Sequence, residues 1–246
     1  ATLPNHPNVA PCIGRQLIQR LATSNPSPAY IGRVSAVWNN NGSGVRGDLK
    51  AVIRAILLDD EARSGSIASG PTWGKLREPM IRFIQWARTF NASSPSGEWT
   101  LGDLNSSSWA LGQSPFYSSS VFNFFRPGYV PPDTALAATG QVAPEFQITN
   151  ESTVACYINF MADTVRKGFV QLVPNYTKEL SIAADATALV DRVNLLMTGR
   201  QLSAATLNTI VTAVSSISAG SADGLKNRVY AAILLVMASP QYIVQK

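Results

Sequence analysis

Apolar residues recur at helical spacing through both ends of this chain and lose that spacing in the middle. Ile13, Leu17 and Leu21 fall every four residues on one face, with Pro11 suited to a first helical turn, ahead of the breaker Ser24-Asn25-Pro26-Ser27-Pro28. A second stripe, Tyr30, Val34, Val37 and Trp38, closes at Asn39-Asn40-Asn41-Gly42. Asp48 is placed to cap a third helix whose predicted buried face is Leu49, Val52, Ile53, Ile56 and Leu57. The short loops imply antiparallel neighbours. After a Gly/Ser-rich loop from Ser64 to Gly74, a helix is predicted near Glu78 to Phe90, with Pro79 in its first turn and Met80, Phe83, Ile84 and Ala87 on one face. Periodicity resumes behind Asn150 with Val154, Tyr157, Ile158, Met161 and Val165. Asp185 then caps Leu189, Val193 and Leu196, a helix that stops at Gly199, and Ser203 caps Leu207, Ile210, Val211, Val214 and Ile217. The run Val229 to Ala238 is apolar all round and belongs in a core.

Between Asn91 and Gln147 prolines, glycines and aromatics dominate, so this stretch is expected to be mostly loop with short helices, folded against the rest by burial of its rings. The fold class that follows is all-α: one multi-helix bundle over 1–246, with a three-helix group at 1–63, a helix plus aromatic-rich irregular segment at 64–147 and a helical group at 148–246. The two ends echo each other. Val52, Ala55, Ile56, Leu57 and Leu58 match Val229, Ala232, Ile233, Leu234 and Leu235 at one offset. A duplicated three-helix unit accounts for the match, and so does the taste of any two core helices for Ala, Ile and Leu.

Composition narrows the setting. Hydrophobic residues make up 46% and charged residues 14%, the latter well below the roughly 25% of an average soluble protein, so Ser, Thr, Asn and Gln supply much of the polar surface, as on extracellular proteins. The net charge of +5 comes from scattered side chains such as Arg15, Arg20, Lys226 and Arg228, which reads as a mildly basic solvated surface and not a nucleic-acid footprint. The longest apolar run, Val229 to Ala238, falls short of the roughly 20 residues that cross a bilayer. The opening ATLPNHPNVAP has neither a basic stretch nor an apolar core. A removed leader or a fragment of a longer chain is the expectation there.

Few motifs carry chemistry. With two cysteines and His6 as the one histidine, no set of about four clustered zinc ligands is expected. The loop from Asn39 to Gly44 invites comparison with a calcium loop, but its twelfth position is Lys50 and its early positions lack carboxylates. Neither a Gly-x-Ser-x-Gly elbow nor a phosphate-cradling glycine loop occurs. Carboxylates remain: Glu78, Glu98, Asp103, Glu145 and Glu151 lie in or beside the irregular region, and glycoside hydrolysis needs only two of them at the right separation. Glu151 also suits the first turn of its helix. The densest unusual feature runs from Trp109 to Tyr129. Its candidate binding residues are Trp109, Gln113, Asn123, Arg126 and Tyr129, rings for contact area and amides with a guanidinium for oriented hydrogen bonds. The same residues would equally serve to fasten a loop to a helical core.

LGQSPFYSSSVFNFFRPGYVPP, with HPNVAPCIGRQLIQRLATSNPSPAYIGRV and VRGDLKAVIRAILLDDEAR before it and APEFQITNES after it, resembles the bacterial family called domain of unknown function 1800 along essentially the whole chain. The resemblance implies a secreted or cell-surface bacterial protein, the C-terminal half of a larger exported one, and brings no catalytic residues with it. Cys12 stands where the family suggests an aromatic residue and Cys156 where it suggests a small one. Two such departures in an exported chain imply that Cys12 and Cys156 form a disulfide.

The function expected is that of a structural or binding module without a cofactor or metal, working with copies of itself or with an extracellular partner protein or polymer, and not with nucleic acid. A carboxylate-dependent hydrolase of an extracellular polymer is the alternative. A third reading is a fragment whose active residues lie elsewhere.

Overall fold

The computed structural model describes residues 5–121 and 123–246. Among these the chain is helical: α1 (Val9–Leu21), α2 (Pro28–Asn39), α3 (Leu49–Leu58), α4 (Asp60–Arg63), α5 (Gly65–Ala68), α6 (Pro79–Thr89), α7 (Ala135–Ala138), α8 (Glu151–Lys167), α9 (Thr177–Leu180), α10 (Ala186–Thr198), α11 (Ala204–Ser215), α12 (Ala222–Ala238) and α13 (Pro240–Ile243), with strand confined to β1 (Lys75–Leu76) and β2 (Val244–Gln245). The all-α class is as expected. The caps read from sequence are in place: Asp48 accepts from the Ala51 amide, Asn150 from Thr153, Asp185 from Thr187 and Ala188, and Ser203 from Thr206. Gly199 ends α10 in the left-handed conformation at φ 64°.

The chain divides differently from its sequence pattern, into two compact units. One comprises Ala1–Leu76, Phe125–Gln147 and Lys246; the other comprises Arg77–Phe124 and Ile148–Gln245. The central stretch is thus shared between them, because Phe125–Gln147 packs with the first unit.

In the first unit α1, α2 and α3 pack around Ile18, Ala22, Tyr30, Val34, Val52 and Ile56. The buried face of α1 is Ala10, Gly14 and Ile18, not the Ile13, Leu17 and Leu21 stripe. Gly14 decides this, since a Cβ there would sit 3.3 Å from Val34 Cγ1, so the absence of a side chain is what draws α2 close. On α3 only Val52 and Ile56 are buried, leaving Leu49, Ile53 and Leu57 exposed along one stripe. The core is small, each large side chain contributing about 1.5–3 kcal/mol, and polar clamps add to it. The Asn25 amide both donates to the Val142 carbonyl (2.8 Å) and accepts from the Val142 amide (2.9 Å). Gln19 donates to the Pro127 carbonyl at 3.1 Å, and Arg20 lies 4.4 Å from the centre of the buried Phe125 ring. Lys75 and Glu145, both buried, pair at 3.4 Å.

The second unit is built on α6, α8, α10, α11 and α12. Phe83, Trp86, Phe160, Met161, Val165, Leu189, Val193, Val229, Ile233 and Met237 form its centre. Trp86 donates to the Tyr176 hydroxyl (2.9 Å), which donates on to the Val165 carbonyl (3.1 Å), so both polar aromatics are satisfied inside the core. Arg228, expected on the surface, is buried, its guanidinium donating to the carbonyls of Ile217, Ala183, Ala184 and Ser215. Val52 and Ile56, and their sequence counterparts Val229 and Ile233, are all fully buried. Each set lies in a helical triad whose members pack on one another, α1, α2 and α3 in one unit and α10, α11 and α12 in the other.

Two glycines separate steric from conformational effects. A Cβ at Gly224 in α12 would overlap the Ser218 carbonyl oxygen, whereas one at Gly32 in α2 meets nothing within 4 Å. Gly224→Ala is expected to lower stability by about 3 kcal/mol and Gly32→Ala to raise it by about 0.5–1 kcal/mol, both measured by urea unfolding.

Candidate functional site

The segment after α6 is held by main-chain hydrogen bonds more than by its rings. The Leu104 carbonyl accepts from the amides of Leu111 (3.1 Å) and Gln113 (3.3 Å), and the Ser106 carbonyl from those of Ala110 and Gly112 (both 3.1 Å). This double loop needs Gly112 at φ 64°. It turns Leu104, Ala110 and Leu111 into the core and leaves Trp109 outside, 59% exposed. Farther on Phe116 is fully exposed, Val121 is 95% exposed and Tyr117 56%. Phe116 also sits at φ 65°, a left-handed backbone that costs a bulky residue about 1–2 kcal/mol. Burial of the aromatics therefore does not fasten this part of the segment, contrary to expectation; Leu104, Leu111 and the loop hydrogen bonds do. Within Phe125–Gln147 the expected burial is met by Phe125, and Phe124 is half-buried at the close of the second unit's stretch. Phe122 lies outside the described residues.

Trp109 borders a cleft of about 450 Å³ along α8, shared with Asn159, Phe160, Asp163, Lys167 and Phe169. Phe160 and Phe169 meet edge to face at 4.9 Å to form its apolar wall. Asp163 and Lys167 pair at 2.9 Å on its rim, and the hydrogen bond from Lys167 holds the Asp163 carboxyl below its ordinary range. The arrangement offers a ring face, an amide and a charged pair, which suits recognition by stacking and hydrogen bonding.

The five residues singled out from sequence do not form one described surface. Trp109, Gln113 and Asn123 belong to the second unit, Arg126 and Tyr129 to the first. Gln113 is buried: its Oε1 accepts from the Met80 amide at 3.2 Å and its Nε2 donates to Glu78. It thereby caps the first turn of α6, where Pro79 and Glu78 leave the Met80 N–H without a local side-chain acceptor. Asn123 is exposed at φ 70°. Arg126 is exposed, its backbone amide donating to Gln147 at 2.8 Å, and Tyr129 is half-buried, its carbonyl accepting from the Ala143 amide. Of the carboxylates, Glu145 is buried on Lys75, Glu98 is exposed and accepts from Gln171, and Glu151 lies exposed in the first turn of α8. Among the described residues no group of three His, Cys, Asp or Glu is placed to hold a metal ion.

The disulfide is corrected. Both cysteines are free, Cys12 exposed on α1 and Cys156 buried on α8. The Cys156 thiol donates to the Ala110 carbonyl at 3.1 Å, and burial raises its pKa. The two thiols lie in separate places: Cys156 beneath the Trp109 loop, and Cys12 facing a groove of about 860 Å³ in the first unit with His6, Trp38 and Arg46. Gln113 as a cap and Cys156 as a loop anchor were not legible in sequence, since both partners are backbone groups of remote segments.

The family model described as "Protein of unknown function (DUF1800)" matches residues 1–244. No curated protein and no solved structure matches the chain.

Two outcomes check this geometry. Gln113→Ala is expected to cost about 1–3 kcal/mol in thermal or urea unfolding, because the Met80 amide loses its acceptor in a buried place. A thiol reagent should modify Cys12 in the folded protein and Cys156 only after unfolding, as read by mass spectrometry.

Proposed function

The chain belongs to the DUF1800 family of proteins of unknown function, and on that premise we propose that it is a non-enzymatic binding module, acting outside the cell or at its surface, whose recognition surface is the Trp109–Val121 loop with the adjoining α8 cleft. The observation that carries this reading is the exposure of Trp109, Phe116, Tyr117 and Val121 on one short segment, with Phe116 kept in a left-handed backbone while its ring lies bare. Strain opposes folding and the exposed rings contribute nothing to it, and contiguous exposed apolar residues of this kind mark interaction surfaces. Aromatic side chains give large contact area at low entropy cost, and Asn159, Asp163 and Lys167 beside Trp109 supply the hydrogen bonds that orient a partner.

A low proportion of charge supports an extracellular setting, and among the described residues no helix is long and apolar enough to cross a membrane. The hydrolase alternative needs two carboxyl groups facing one cleft at about 5–9.5 Å. Asp163 is the one carboxylate lining the α8 cleft among the described residues, and it is tied to Lys167. A partner is either an extracellular polymer or a protein, including a second copy, and the exposed Leu49, Ile53 and Leu57 stripe on α3 favours a protein.

Trp109→Ala and Phe116→Ala are expected to melt within about 1 °C of the parent, since exposed side chains outside the core contribute little to stability, and to lose binding by about tenfold or more. Sedimentation equilibrium of the chain alone reads self-association, and co-sedimentation with insoluble polysaccharides reads polymer binding. Retention of both activities in both variants would refute the surface, and turnover of a polysaccharide by the parent would favour the hydrolase. Arg126→Ala, with its side chain exposed, should leave the melting temperature unchanged.

A further inference from the structure

Helix α6 carries a second feature that the recognition surface does not use. Arg82 points with Phe83 and Trp86 into the second unit and is 6% exposed. Its guanidinium lies 3.8 Å from the centre of the Tyr157 ring on α8. That stacked geometry places it over the ring face, where the two attract. Arg77, just before α6, lies 5.1 Å from the centre of the Tyr242 ring and donates to Gln85, which donates in turn to the Met197 carbonyl. The Tyr242 hydroxyl is spent on the Arg82 carbonyl at 3.2 Å. Three polar atoms here are shut off from solvent with no hydrogen-bond partner among the described residues: Arg82 Nε, Arg77 Nε and Tyr157 Oη. Neither arginine has an acidic partner among the described ion pairs, which are Arg33 with Asp59 and Glu61, Lys75 with Glu145, and four others elsewhere.

A buried guanidinium, Arg82, beside a half-buried one, Arg77, with no acidic partner among the described ion pairs, is unusual, because a buried charge is otherwise paired or fully hydrogen-bonded. The same unit shows what satisfaction looks like: Arg228 is buried and donates to four carbonyls, and buried Glu179 pairs with Arg192 at 2.7 Å. Burial lowers the Arg77 pKa, and the neighbouring Arg82 charge lowers it further, against Tyr242 and Tyr157. Tyr157 is held in its neutral form by burial, so its hydroxyl is a donor and the cluster stays positive.

We propose that Arg82, Arg77 and Tyr157 form a buried binding site for a small oxyanion, of the carboxylate or phosphate class, held by guanidinium and phenol donors. The planar guanidinium presents several donors, and a carboxylate or phosphate accepts from them and from the Tyr157 hydroxyl together. The site lies within the second unit, separate from the Trp109 cleft, and does not rest on the binding-module reading.

The test uses the whole 246-residue chain, titrated with sodium phosphate, sodium sulfate or sodium malonate against sodium chloride at matched ionic strength, with thermal melting and calorimetry as readouts. A site predicts a saturable rise of about 5–10 °C at a hundredfold excess over the dissociation constant, from phosphate and sulfate if the ligand is inorganic or from malonate if it is a carboxylate. Arg82→Met should abolish the saturable rise and, in chloride alone, melt at or above the parent, because an uncompensated charge is gone. Tyr157→Phe should weaken anion affinity by about tenfold. An equal, unsaturable response of the parent and Arg82→Met to all three salts overturns the proposal, as does a saturable rise that survives in Arg82→Met. Should Arg82→Met fail to fold, Tyr157→Phe decides: weakened affinity supports the site and unchanged affinity overturns it.

Discussion

The second unit depends on one demand placed on α6: it must bury Phe83 and Trp86 while Arg82 lies beside them on the same side. Phe83 meets Trp86, Phe160 and Phe169 within 5.9 Å, and Trp86 closes the hydrogen-bond chain to Tyr176 and Val165. A helix fixed so firmly cannot rotate Arg82 out to water, because a shift of one residue would turn the rings out with it. Tyr157 beneath the guanidinium, Gln85 bridging Arg77 to α10, and Gln113 capping the Met80 amide all follow from that fixed placement. The loop that delivers Gln113 is the loop that presents Trp109, so the cap of α6 and the outward ring are set by the same turn.

The first unit is stabilised in a different proportion. Its apolar core is small, and its second segment, Phe125–Gln147, adds Phe125, Ala143 and Pro144 as buried apolar side chains along with short helical turns. What joins that segment to α1, its following loop and β1 is largely polar: the two-way Asn25–Val142 amide pair, Gln19 on Pro127, and Lys75 on Glu145. Such bonds contribute about 0.5–1.5 kcal/mol each, but leaving the buried Gln19, Lys75 or Glu145 unpaired costs more. They therefore specify where the segment lies more sharply than they stabilise it.

Against these satisfied groups, two places oppose folding without return inside the chain. The Trp109–Val121 segment exposes rings and strains Phe116, and Arg82 is buried beside the half-buried Arg77 with no counter-charge among the described ion pairs. Both lie in the second unit, one at its surface and one in its interior. Proteins keep such features where something else completes them, which is the common ground of the binding-module and anion-site proposals.

Local rules made much of the fold legible. Asp48, Asn150, Asp185 and Ser203 cap their helices and Gly199 ends one because a cap needs only a side chain and the next turn, both close in sequence. Helical periodicity likewise marked Tyr30 and Val34, Tyr157 and Met161, and Leu189 and Val193 as core. It failed where a partner chooses the face: Gly14 turned α1 by letting α2 approach, Leu49, Ile53 and Leu57 were left outside, and Arg82 and Trp86 were taken inside. The candidate site fared less well, with Trp109 outward as expected of a recognition residue, Gln113 drawn in as a cap, and Cys12 and Cys156 left as separate thiols. The sequence by itself determined where helices begin and end, since those hydrogen bonds are local. Only the tertiary structure decided which polar groups are buried and what satisfies them, because their partners lie as far apart in the chain as Met80 and Gln113, Asn25 and Val142, or Arg82 and Tyr242.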